Sequence, residues 1–356
     1  MKLQIAPVFQ GKNTVPVVFS SNQKFVPVLA VMVQSVIEHA SENYNYDLII
    51  LTQDIDSTYE ERLQSMVKDA ANIQLRVVNV KEYFEDYTLY TENRESITVE
   101  TYFRLVIPQL MPDYDKVLYL DGDMVANADL AELFETDLGN CLVGASADCD
   151  SIGVCHMGNP ALEEYRRDVL KLKYPDRYFC AGMLVMNLKR FREKFDAEEL
   201  LKLAASYNWR QHDQDVLNMV CNEEVKLISI AWDLLRDAGH NRYMPKEMYE
   251  DFLQAEAEPK IIHYGGMRKP WIYFDVERGE YFWRYAGKTP FFREILSMVS
   301  DANAERVPIF ANGQLWGGGD LKEIVLKQFA DGEIGLRYVK KYFSAWLGFK
   351  LRGRAQ

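Results

Sequence analysis

The sequence has no run of apolar residues long enough to cross a lipid bilayer. Its longest apolar segment, Phe25 to Ile37, is interrupted by Gln34 and Ser35, and it is shorter than the roughly 20 residues that a transmembrane helix needs. The amino terminus also lacks the positively charged start and the apolar stretch of a signal peptide. These absences favour a cytoplasmic protein in which Phe25 to Ile37 forms a buried helix.

The sequence has fewer basic than acidic residues, and it has few cysteines. The 356 residues include 41 Lys and Arg against 53 Asp and Glu, a formal charge of -12, whereas nucleic-acid-binding proteins tend to carry a basic excess. Nucleic acid is therefore not an expected partner. The five cysteines lack the paired C-x-x-C spacing of a zinc site, so we expect reduced thiols in a cytosolic compartment. With 48% hydrophobic residues and no internal repeat, the chain can form one large domain or two smaller ones.

Strand-like and helix-like runs alternate at the start of the chain. The strand-like runs are Val15 to Ser20, Asp47 to Thr52 and Ile73 to Val80, and the helix-like runs are Val26 to Ala40 and Ser57 to Ala70. This βαβαβ order predicts an α/β fold with a mostly parallel sheet and helices on both of its faces.

The pattern then continues and changes near residue 275. It predicts a helix at Thr98 to Leu110 and strands at Lys116 to Leu120, Leu142 to Ala147 and Met183 to Asn187. From about Asp275 onward the segments are aromatic-rich and helical. We therefore expect an α/β domain over residues 1–275 and a helical C-terminal region over residues 276–356.

Two acidic residues follow one of the buried strands. Lys116 to Val125 reads K-V-L-Y-L-D-G-D-M-V, which places Asp121 and Asp123 on either side of Gly122. Side chains two apart on an extended segment point the same way, so both carboxylates can face one hard divalent cation. Gly122 would let a bulky ligand approach the backbone. The alternative is that the two acids only cap and turn the chain after the strand.

Six motifs together match one known family. They are F-S-S-N-Q-K-F at Phe19, T-Y-F-R-L at Thr101, L-Y-L-D-G-D at Leu118, Y-F-C-A-G-M-L-V-M-N-L at Tyr178, H-D-Q-D-V-L-N at His212 and H-Y-G-G-M-R-K-P-W at His263. In this order they resemble glycosyltransferase family 8, in particular its bacterial lipopolysaccharide galactosyl- and glucosyltransferases, with glycogenin as a more distant relative. The resemblance covers roughly Val15 to Phe274.

The resemblance implies a GT-A fold, a UDP-glucose or UDP-galactose donor, a manganese ion and transfer with retention at the anomeric carbon. It makes Asp121, Asp123 and His263 the metal ligands. One imidazole added to carboxylates moves the preference from calcium toward manganese, which would act as a Lewis acid on the departing UDP. A lone histidine is more often structural, but the position of His263 after the strand-like Lys260 to Ile262 and just before Gly265 and Gly266 favours a ligand.

The same resemblance assigns the donor-binding residues. Lys269 would reach the diphosphate as a point charge, and Gly122 and Gly266 would let the backbone approach it. Arg104 would contact the donor and order nearby carboxylates, with an ordinary helix-surface salt bridge as the alternative.

The uracil and ribose would lie against the first strand-to-helix loop, at Ser20, Ser21 and Asn22. Many relatives have aspartate where Asn22 stands. An amide can still accept from the uracil ring N–H while its NH2 donates to a carbonyl, so UDP stays the expected nucleotide.

The donor sugar would be held from three places: the end of the Leu142 to Ala147 strand, the H-D-Q-D motif, and the Tyr178 to Gly182 turn, which would supply a wall. We expect Asp213 to bind sugar hydroxyls, Gln214 to lie near the anomeric carbon, and Asp148 to contribute from the end of its strand. Asp213 and Asp215 diverge by about 200° on a helix, so Asp215 is expected to make a buried structural contact. Cys180 stands where many relatives carry asparagine, which leaves the donor sugar open between glucose, galactose and others.

Two retaining mechanisms are open. One passes through a covalent enzyme intermediate, and the other is front-side attack in which the leaving phosphate oxygen accepts the acceptor's proton. Gln214 is a poor nucleophile, so front-side attack is favoured, with catalysis coming from metal electrostatics and positioning. The acceptor would be a glycan or glycolipid of a cell-surface polysaccharide.

The C-terminal segment Leu336 to Arg354 carries six cations, five aromatic residues and no acid. At helical spacing its apolar residues form one stripe flanked by cations, which is typical of an amphipathic helix at an anionic membrane surface. The alternative is a terminal helix docked on the core.

Two rival functions stay open on sequence grounds. L-D-G-D-M-V also resembles the nucleophile loop of haloacid-dehalogenase-like phosphatases, although that loop normally follows the first strand of its domain. The second rival is a non-catalytic nucleotide-sugar or glycan-binding adaptor on the same fold.

Overall fold

A computed structural model of the chain describes residues 3–9, 11, 13–91, 97–235, 239–266, 268–273 and 276–302. The basic segment Leu336 to Arg354, for which the sequence predicts an amphipathic helix, lies outside these described residues.

The core of the fold is a seven-stranded sheet with the strand order β3-β2-β1-β4-β7-β6-β8, accompanied by a three-stranded sheet with the order β5-β10-β9. The strands are β1 (Thr14–Ser20), β2 (Asn45–Thr52), β3 (Ile73–Asn79), β4 (Lys116–Leu120), β5 (Met124–Ala126), β6 (Val143–Ala147), β7 (Phe179–Asn187), β8 (Val225–Ile228), β9 (Leu234–Leu235) and β10 (Ile261–His263). In the large sheet β7 runs antiparallel to both β4 and β6. The other neighbours pair in parallel, so the predicted mostly parallel sheet is confirmed.

The helices are α1 (Val26–His39), α2 (Ser57–Ser65), α3 (Ile107–Leu110), α4 (Leu130–Phe134), α5 (Cys149–His156), α6 (Pro160–Glu164), α7 (Leu188–Lys194), α8 (Ala197–Ala205), α9 (His212–Cys221), α10 (Lys246–Ala257), α11 (Gly279–Ala286) and α12 (Phe292–Ala302). Short 3-10 helices lie between them at Gln23–Phe25, Lys81–Tyr83, Val99–Leu105, Pro175–Arg177, Ile230–Trp232 and Asn241–Tyr243. Within the described part of the chain, every helix is too short or too polar to traverse a membrane.

Both faces of the large sheet are covered by apolar side chains. Alternate residues of β1 belong to different clusters, with Val15, Val17 and Phe19 on one side of the sheet and Val18 on the other. A sheet buried on both faces needs strands that are apolar throughout, which explains the uninterrupted apolar runs in the sequence.

The predicted helix Thr98 to Leu110 is wrong as a single helix. The segment forms a 3-10 helix at Val99–Leu105, followed by the short α3. Pro108 explains the break, because inside one continuous helix its ring would clash with the carbonyl of Arg104 four residues earlier. In α3 the proline lies in the first turn, where its missing N–H has no cost.

Helix α1 forms the bridge between the sheet and the last described helices. Its apolar residues Leu29 and Val33 pack on the sheet side, whereas Val28 and Val31 pack with aromatic residues that include Trp283. Over residues 276–302 the aromatic-rich segments form α11 and α12, and both helices contact α1.

Candidate active site

The acidic pair lies at the carboxyl end of β4. Asp121 follows the last residue of β4, and its backbone N–H donates to the carbonyl of Gly182 on β7 at 2.8 Å. Asp123 directly precedes β5. A Cβ on Gly122 would lie 3.1 Å from Cε1 of Phe25 and 3.4 Å from Leu29. The small residue therefore admits the start of α1, a packing role that the sequence interpretation did not foresee.

The small sheet brings a distant histidine to the acidic pair. In the antiparallel pairing of β10 with β5, His263 lies opposite Met124, and the N–H of Tyr264 donates to the carbonyl of Asp123 at 2.9 Å. The His263 Nε2 atom is 3.3 Å from Asp123 Oδ1 and 4.0 Å from Asp121 Oδ2. Two carboxylates and one imidazole nitrogen converge here.

This donor set fits a divalent cation. One donor atom from each of Asp121, Asp123 and His263 lies within 4.8 Å of the other two. Mixed oxygen and imidazole donors suit manganese and similar ions better than calcium, which prefers oxygen alone. A histidine must be neutral to coordinate a metal, so His263 would hold a cation in its neutral form.

The charges of the site are set by burial and by close pairs. Burial raises the pKa of Asp121 to about 6, with Arg104 opposing the rise. Burial also disfavours ionisation of Asp123, but the Lys269 ammonium and His263 outweigh it and hold the pKa of Asp123 below its usual range. For His263, burial disfavours the charged form, but Asp233 and Asp123 outweigh it and raise its pKa well above the usual range.

Lys269 forms an ion pair with one of the two acids, Asp123. Its Nζ atom donates to Asp123 Oδ2 at 2.7 Å and also to the carbonyl of Tyr264, and it lies 5.5 Å from the centre of the Trp271 ring. The side chain is only 12% exposed. Lys269 follows Gly266, which is partly exposed, on the loop after β10.

Arg104 is buried, so the alternative of an ordinary helix-surface salt bridge is wrong. Its side chain is 3% exposed and lies over the ring of Tyr119, with Cζ 4.2 Å from the ring centre. Nη2 donates to Asp121 Oδ1 at 2.8 Å, Nε lies 2.9 Å from Asp213 Oδ2, and Nη1 donates to the carbonyl of Ala181. One guanidinium thus connects the acidic pair to the HDQD motif.

Asp213 and Gln214 take different partners at the start of α9. Asp213 accepts a hydrogen bond from the Thr101 hydroxyl in addition to its ion pair with Arg104, and burial raises the pKa of Asp213 against the opposing effect of Arg104. The Gln214 amide oxygen accepts from the backbone N–H of Ala181 at 2.9 Å. The backbone of residue 181 therefore holds both Arg104 and Gln214 in place.

The other end of the Gln214 amide points to Asp148. Gln214 Nε2 donates to Asp148 Oδ2 at 2.9 Å and to the Tyr178 hydroxyl at 3.3 Å. Asp148 also caps α5 by accepting from the backbone N–H of Ser151 at 2.9 Å, and burial raises its pKa. Both ends of the amide are engaged, so its orientation is fixed.

Asp215 points away from this group, as the helical spacing predicts. Its two carboxylate oxygens accept from the hydroxyls of Tyr165 and Tyr178, each at 2.7 Å, and from the backbone N–H of Gln211. This buried contact anchors the start of α9 against the start of β7, which Tyr178 directly precedes.

The first strand-to-helix loop ends β1, the strand next to β4. The Ser21 hydroxyl donates to the backbone carbonyl of Asn22 at 2.9 Å. The Asn22 side-chain oxygen caps the following 3-10 helix by accepting from the N–H of Phe25 at 3.0 Å. Ser20 is the last residue of β1, so all three predicted nucleoside contacts lie at the same edge of the sheet as Asp121.

Asp233 escaped the sequence interpretation, and the close packing of Gly182 and Gly265 around His263 was not predicted. Asp233, which is 1% exposed, holds its Oδ1 2.8 Å from His263 Nδ1. A Cβ on Gly182 would lie 2.5 Å from His263 Cε1, and a Cβ on Gly265 would lie 2.6 Å from Cδ1 of Leu235. The sequence does hold a signal for Asp233: it is a single acid inside the apolar run I-A-W-D-L-L, and a buried carboxylate needs a partner.

Cys180 lies on the Nδ1 side of His263, as Asp233 does. Its Sγ atom is 3.8 Å from His263 Nδ1, and burial raises the pKa of the thiol. The sequence interpretation placed Cys180 at the sugar, whereas in the structure the thiol contacts the imidazole.

The mixed sheet with an acidic pair after β4 and a histidine on a second small sheet defines a GT-A protein, as the sequence predicts. The sequence profile described as glycosyl transferase family 8 matches residues 16–275, and this chain belongs to that family. The resemblance inferred from the six motifs is therefore confirmed.

Two relatives that are named as glycosyltransferases show moderate similarity to the chain. Glycosyltransferase GlyF of Streptococcus pneumoniae is 28% identical over 297 residues, which cover 81% of this chain and 64% of GlyF. A putative glycosyltransferase of Haemophilus influenzae is 25% identical over 262 residues, which cover 73% of each chain.

Two solved structures share the architecture. The apo structure of the bifunctional glycosyltransferase WbbM has a TM-score of 0.74 at 31% identity and covers 83% of this chain and 53% of its own. The galactosyltransferase LgtC, solved with donor and acceptor sugar analogues, has a TM-score of 0.63 at 25% identity and covers 77% of this chain and 96% of its own. The chain spans less than two thirds of GlyF and about half of WbbM.

Proposed function

We propose that this chain is a retaining hexosyltransferase that moves glucose or galactose from a UDP-sugar to a glycan or glycolipid acceptor in cell-surface polysaccharide synthesis. The observation that carries the proposal is the convergence of Asp121, Asp123 and His263 at the carboxyl end of β4, with the cation of Lys269 beside them. Ligands of open α/β sheets bind at this edge. Family membership supplies the reaction class.

Asp121, Asp123 and His263 would hold a divalent cation, for which we propose Mn2+. When bound, such an ion supplies a Lewis acid that neutralises charge on the departing diphosphate. Lys269 would add a second positive charge at the diphosphate, because its ammonium is held 2.7 Å from Asp123 and an ammonium serves as a compact point charge. Gly122 and Gly266 would flank the diphosphate.

The nucleoside would bind at the end of β1, against Ser20, Ser21 and Asn22. The Asn22 oxygen already accepts the capping hydrogen bond from Phe25, but a carbonyl oxygen has a second lone pair. It can still accept from the uracil ring, and its NH2 group can donate to a uracil carbonyl. This assignment supports UDP as the nucleotide.

Arg104 would act through the carboxylates that it holds. Its side chain is 3% exposed, and its nitrogens already lie against Asp121, Asp213 and the carbonyl of Ala181. We therefore assign to it the ordering of the acidic residues, and we assign the sugar hydroxyls to Asp213 and Asp148.

Front-side attack is the mechanism that Gln214 favours. Its amide is a poor nucleophile, and its oxygen is held by the N–H of Ala181 at 2.9 Å. In this mechanism the bond from the anomeric carbon to the diphosphate oxygen breaks, and a bond to the acceptor oxygen forms on the same face. The acceptor proton passes to the leaving phosphate oxygen, so the enzyme contributes positioning and electrostatic stabilisation.

The two rival functions predict different features of the site and different outcomes with a UDP-sugar. A haloacid-dehalogenase-like phosphatase needs a nucleophilic aspartate after the first strand of its domain, whereas Asp121 follows β4 and pairs with Arg104. A non-catalytic adaptor would bind a UDP-sugar without consuming it. Family membership and the intact donor set argue against both.

The deciding experiment measures UDP release from UDP-glucose and UDP-galactose, with and without Mn2+, and with and without chelator. We expect one donor to be consumed in the presence of Mn2+ and little release in its absence. Binding without release would establish the adaptor, and a trapped phosphoryl group on Asp121 would establish the phosphatase. Full turnover in excess chelator would remove the metal from the proposal.

We also propose a cytoplasmic location with peripheral attachment to the inner face of the membrane through Leu336 to Arg354. We further propose that the domain boundary lies between residues 275 and 276. Six cations and five aromatic residues in that segment support the attachment, because juxtamembrane cations attract anionic lipid. The division is supported by the change of sequence pattern near Asp275.

A further inference from the structure

The imidazole of His263 contacts a buried carboxylate on the side of the ring that faces away from the acidic pair. Nε2 faces Asp123 and Asp121, and Nδ1 lies 2.8 Å from Oδ1 of Asp233. The Asp233 side chain has no exposed surface, and its second oxygen, Oδ2, has no hydrogen-bond partner among the described residues. A half-satisfied buried carboxylate costs stability, so its presence points to a role toward His263.

The distance between His263 Nδ1 and Asp233 Oδ1 distinguishes two interpretations of this contact. Cys180, Asp233 and His263 offer donor atoms within 4.8 Å of one another, which raises the alternative of a second metal site. Two donors bonded to one tetrahedral ion lie roughly 3.3 Å apart. The observed 2.8 Å between Nδ1 and Oδ1 is instead the length of a charge-assisted hydrogen bond.

The imidazole is also confined by its neighbours. Gly182 and Gly265 line it so closely that a Cβ on either residue would lie 2.5 Å from Cε1 or 3.1 Å from Nε2, respectively. The ring therefore has little room to rotate or flip, and the hydrogen bond to Asp233 fixes which nitrogen faces the acidic pair.

We propose that Asp233 is a positioning residue that keeps the proton of the neutral His263 imidazole on Nδ1, so that Nε2 can ligate a divalent cation together with Asp121 and Asp123. The inference rests on the proposed metal-dependent function. A metal-ligating histidine commonly donates its other N–H to a carboxylate, and loss of that partner typically lowers metal affinity roughly 10- to 100-fold.

The test compares Asp233→Asn with the wild-type full chain. Binding of Mn2+ in the presence of UDP is measured by electron paramagnetic resonance of free Mn2+, and the Mn2+ activation of UDP release is titrated in parallel. We expect Mn2+ affinity to fall roughly 10- to 100-fold in the variant. The rate at saturating Mn2+ should recover in large part, because the ligands themselves are intact.

Asp47→Asn is the matched control for removing a buried charge. Asp47 is also fully buried and is paired with Arg76 and Tyr114, but it lies near the start of β2, away from the carboxyl end of β4. This variant should keep wild-type Mn2+ affinity whatever its stability. Equal Mn2+ affinity in wild type and Asp233→Asn overturns the role of Asp233 and leaves the proposed function standing. Absence of Mn2+ binding to the wild type overturns the metal-dependent function itself.

A measurement on the wild type keeps the proposal testable if Asp233→Asn does not fold. The chain is labelled with 15N-histidine, and the ring signals of His263 are identified by their loss in His263→Gln. We expect a proton on Nδ1 that exchanges slowly with solvent because Asp233 accepts it. An unprotonated or rapidly exchanging Nδ1 overturns the inference.

Discussion

Arg104 and Asp121 form an ion pair, with Arg104 Nη2 2.8 Å from Asp121 Oδ1, in which the arginine side chain is 3% exposed and the aspartate side chain is partly exposed. Because the same guanidinium lies against Asp213 and donates to the carbonyl of Ala181, it joins the proposed metal ligands to the residues proposed for the sugar. Any change that frees Arg104 should therefore disturb both ends of the donor site together.

The first prediction concerns Arg104→Lys. An ammonium keeps the charge but offers no planar fork, so it cannot hold Asp121, Asp213 and the Ala181 carbonyl at once. We expect kcat/KM for the donor to fall at least roughly 10-fold, which corresponds to about 1.4 kcal/mol. Arg76→Lys is the control: it weakens a comparable pair with Asp47, so it should lower thermal stability and leave kcat/KM unchanged. Equal kinetics in both variants would contradict the bridging role.

The second prediction is that Asp123→Ala abolishes metal-dependent transfer while the fold is retained. Asp123 contributes an oxygen 3.3 Å from His263 Nε2 and also pairs with Lys269. Its loss removes charge compensation worth several kcal/mol in metal catalysis, so we expect a rate loss of at least about 100-fold. Circular dichroism and thermal unfolding check the fold, with Asp168→Ala, at an exposed ion pair, as the control. Substantial activity in Asp123→Ala would exclude Asp123 as a ligand.

The third prediction separates charge from shape at Lys269. Lys269→Ala should raise the donor KM and lower kcat, because a hydrogen bond to a charged group contributes about 1.5–3 kcal/mol. Lys269→Arg should restore only part of the activity, since the side chain is 12% exposed and a larger planar cation does not fit without displacement. Lys260→Ala, which removes a partly exposed partner of Glu132, should leave donor kinetics unchanged. Wild-type donor affinity in Lys269→Ala would remove Lys269 from the site.

Much of this architecture follows from local sequence. The apolar runs of β1, β2 and β4 predict buried strands, and the position of Asp121 and Asp123 after β4 predicts a site at the carboxyl edge of the sheet. The contacts that complete the site depend on long-range pairing. β10 places His263 opposite Met124, and no periodicity within either strand encodes that register. Asp233 stayed unassigned for the same reason, because its role exists only once β9 lies beside β10.

Sequence was also ambiguous about the small residues. A glycine between two acids, such as Gly122, is compatible with ligand approach or with close packing, and the choice depends on which element covers it. The structure places Phe25 and Leu29 there. The glycine of the Y-F-C-A-G motif, Gly182, packs against an imidazole from the other sheet, which no local pattern could indicate.

The fourth prediction follows from that packing. In Gly182→Ala the added Cβ would lie 2.5 Å from Cε1 of His263, so the imidazole must move. Small displacements of a positioned group can cost up to about 100-fold in rate, and we expect at least roughly a 10-fold loss of Mn2+-dependent activity. In the control Gly279→Ala, the nearest atoms would be at ordinary distances of 3.7 and 3.8 Å, so activity should be unchanged. Wild-type activity and Mn2+ affinity in Gly182→Ala would show that the position of His263 is unimportant.

The last prediction concerns the basic, aromatic-rich segment Leu336 to Arg354. If it binds a membrane surface, a chain ending at Gly335 should keep donor hydrolysis or transfer to a soluble acceptor, since the motifs that match the family end near Trp271. It should lose sedimentation with vesicles that contain anionic lipid. Each cation near an anionic surface contributes about 1 kcal/mol, so four engaged cations would supply roughly 4 kcal/mol, enough for reversible attachment.

Salt and charge distinguish this attachment from a terminal helix docked on the core. Binding of the full-length chain should fall between low and high salt, because screening shortens the reach of surface charges. A full-length variant with Lys340, Lys341 and Lys350 changed to glutamine should bind anionic vesicles weakly and stay as stable and active as the wild type. Neutral phosphatidylcholine vesicles provide the lipid control. Equal sedimentation of the wild-type, truncated and glutamine-substituted chains would favour the docked helix, because a packed terminal helix contributes to unfolding stability and not to lipid binding.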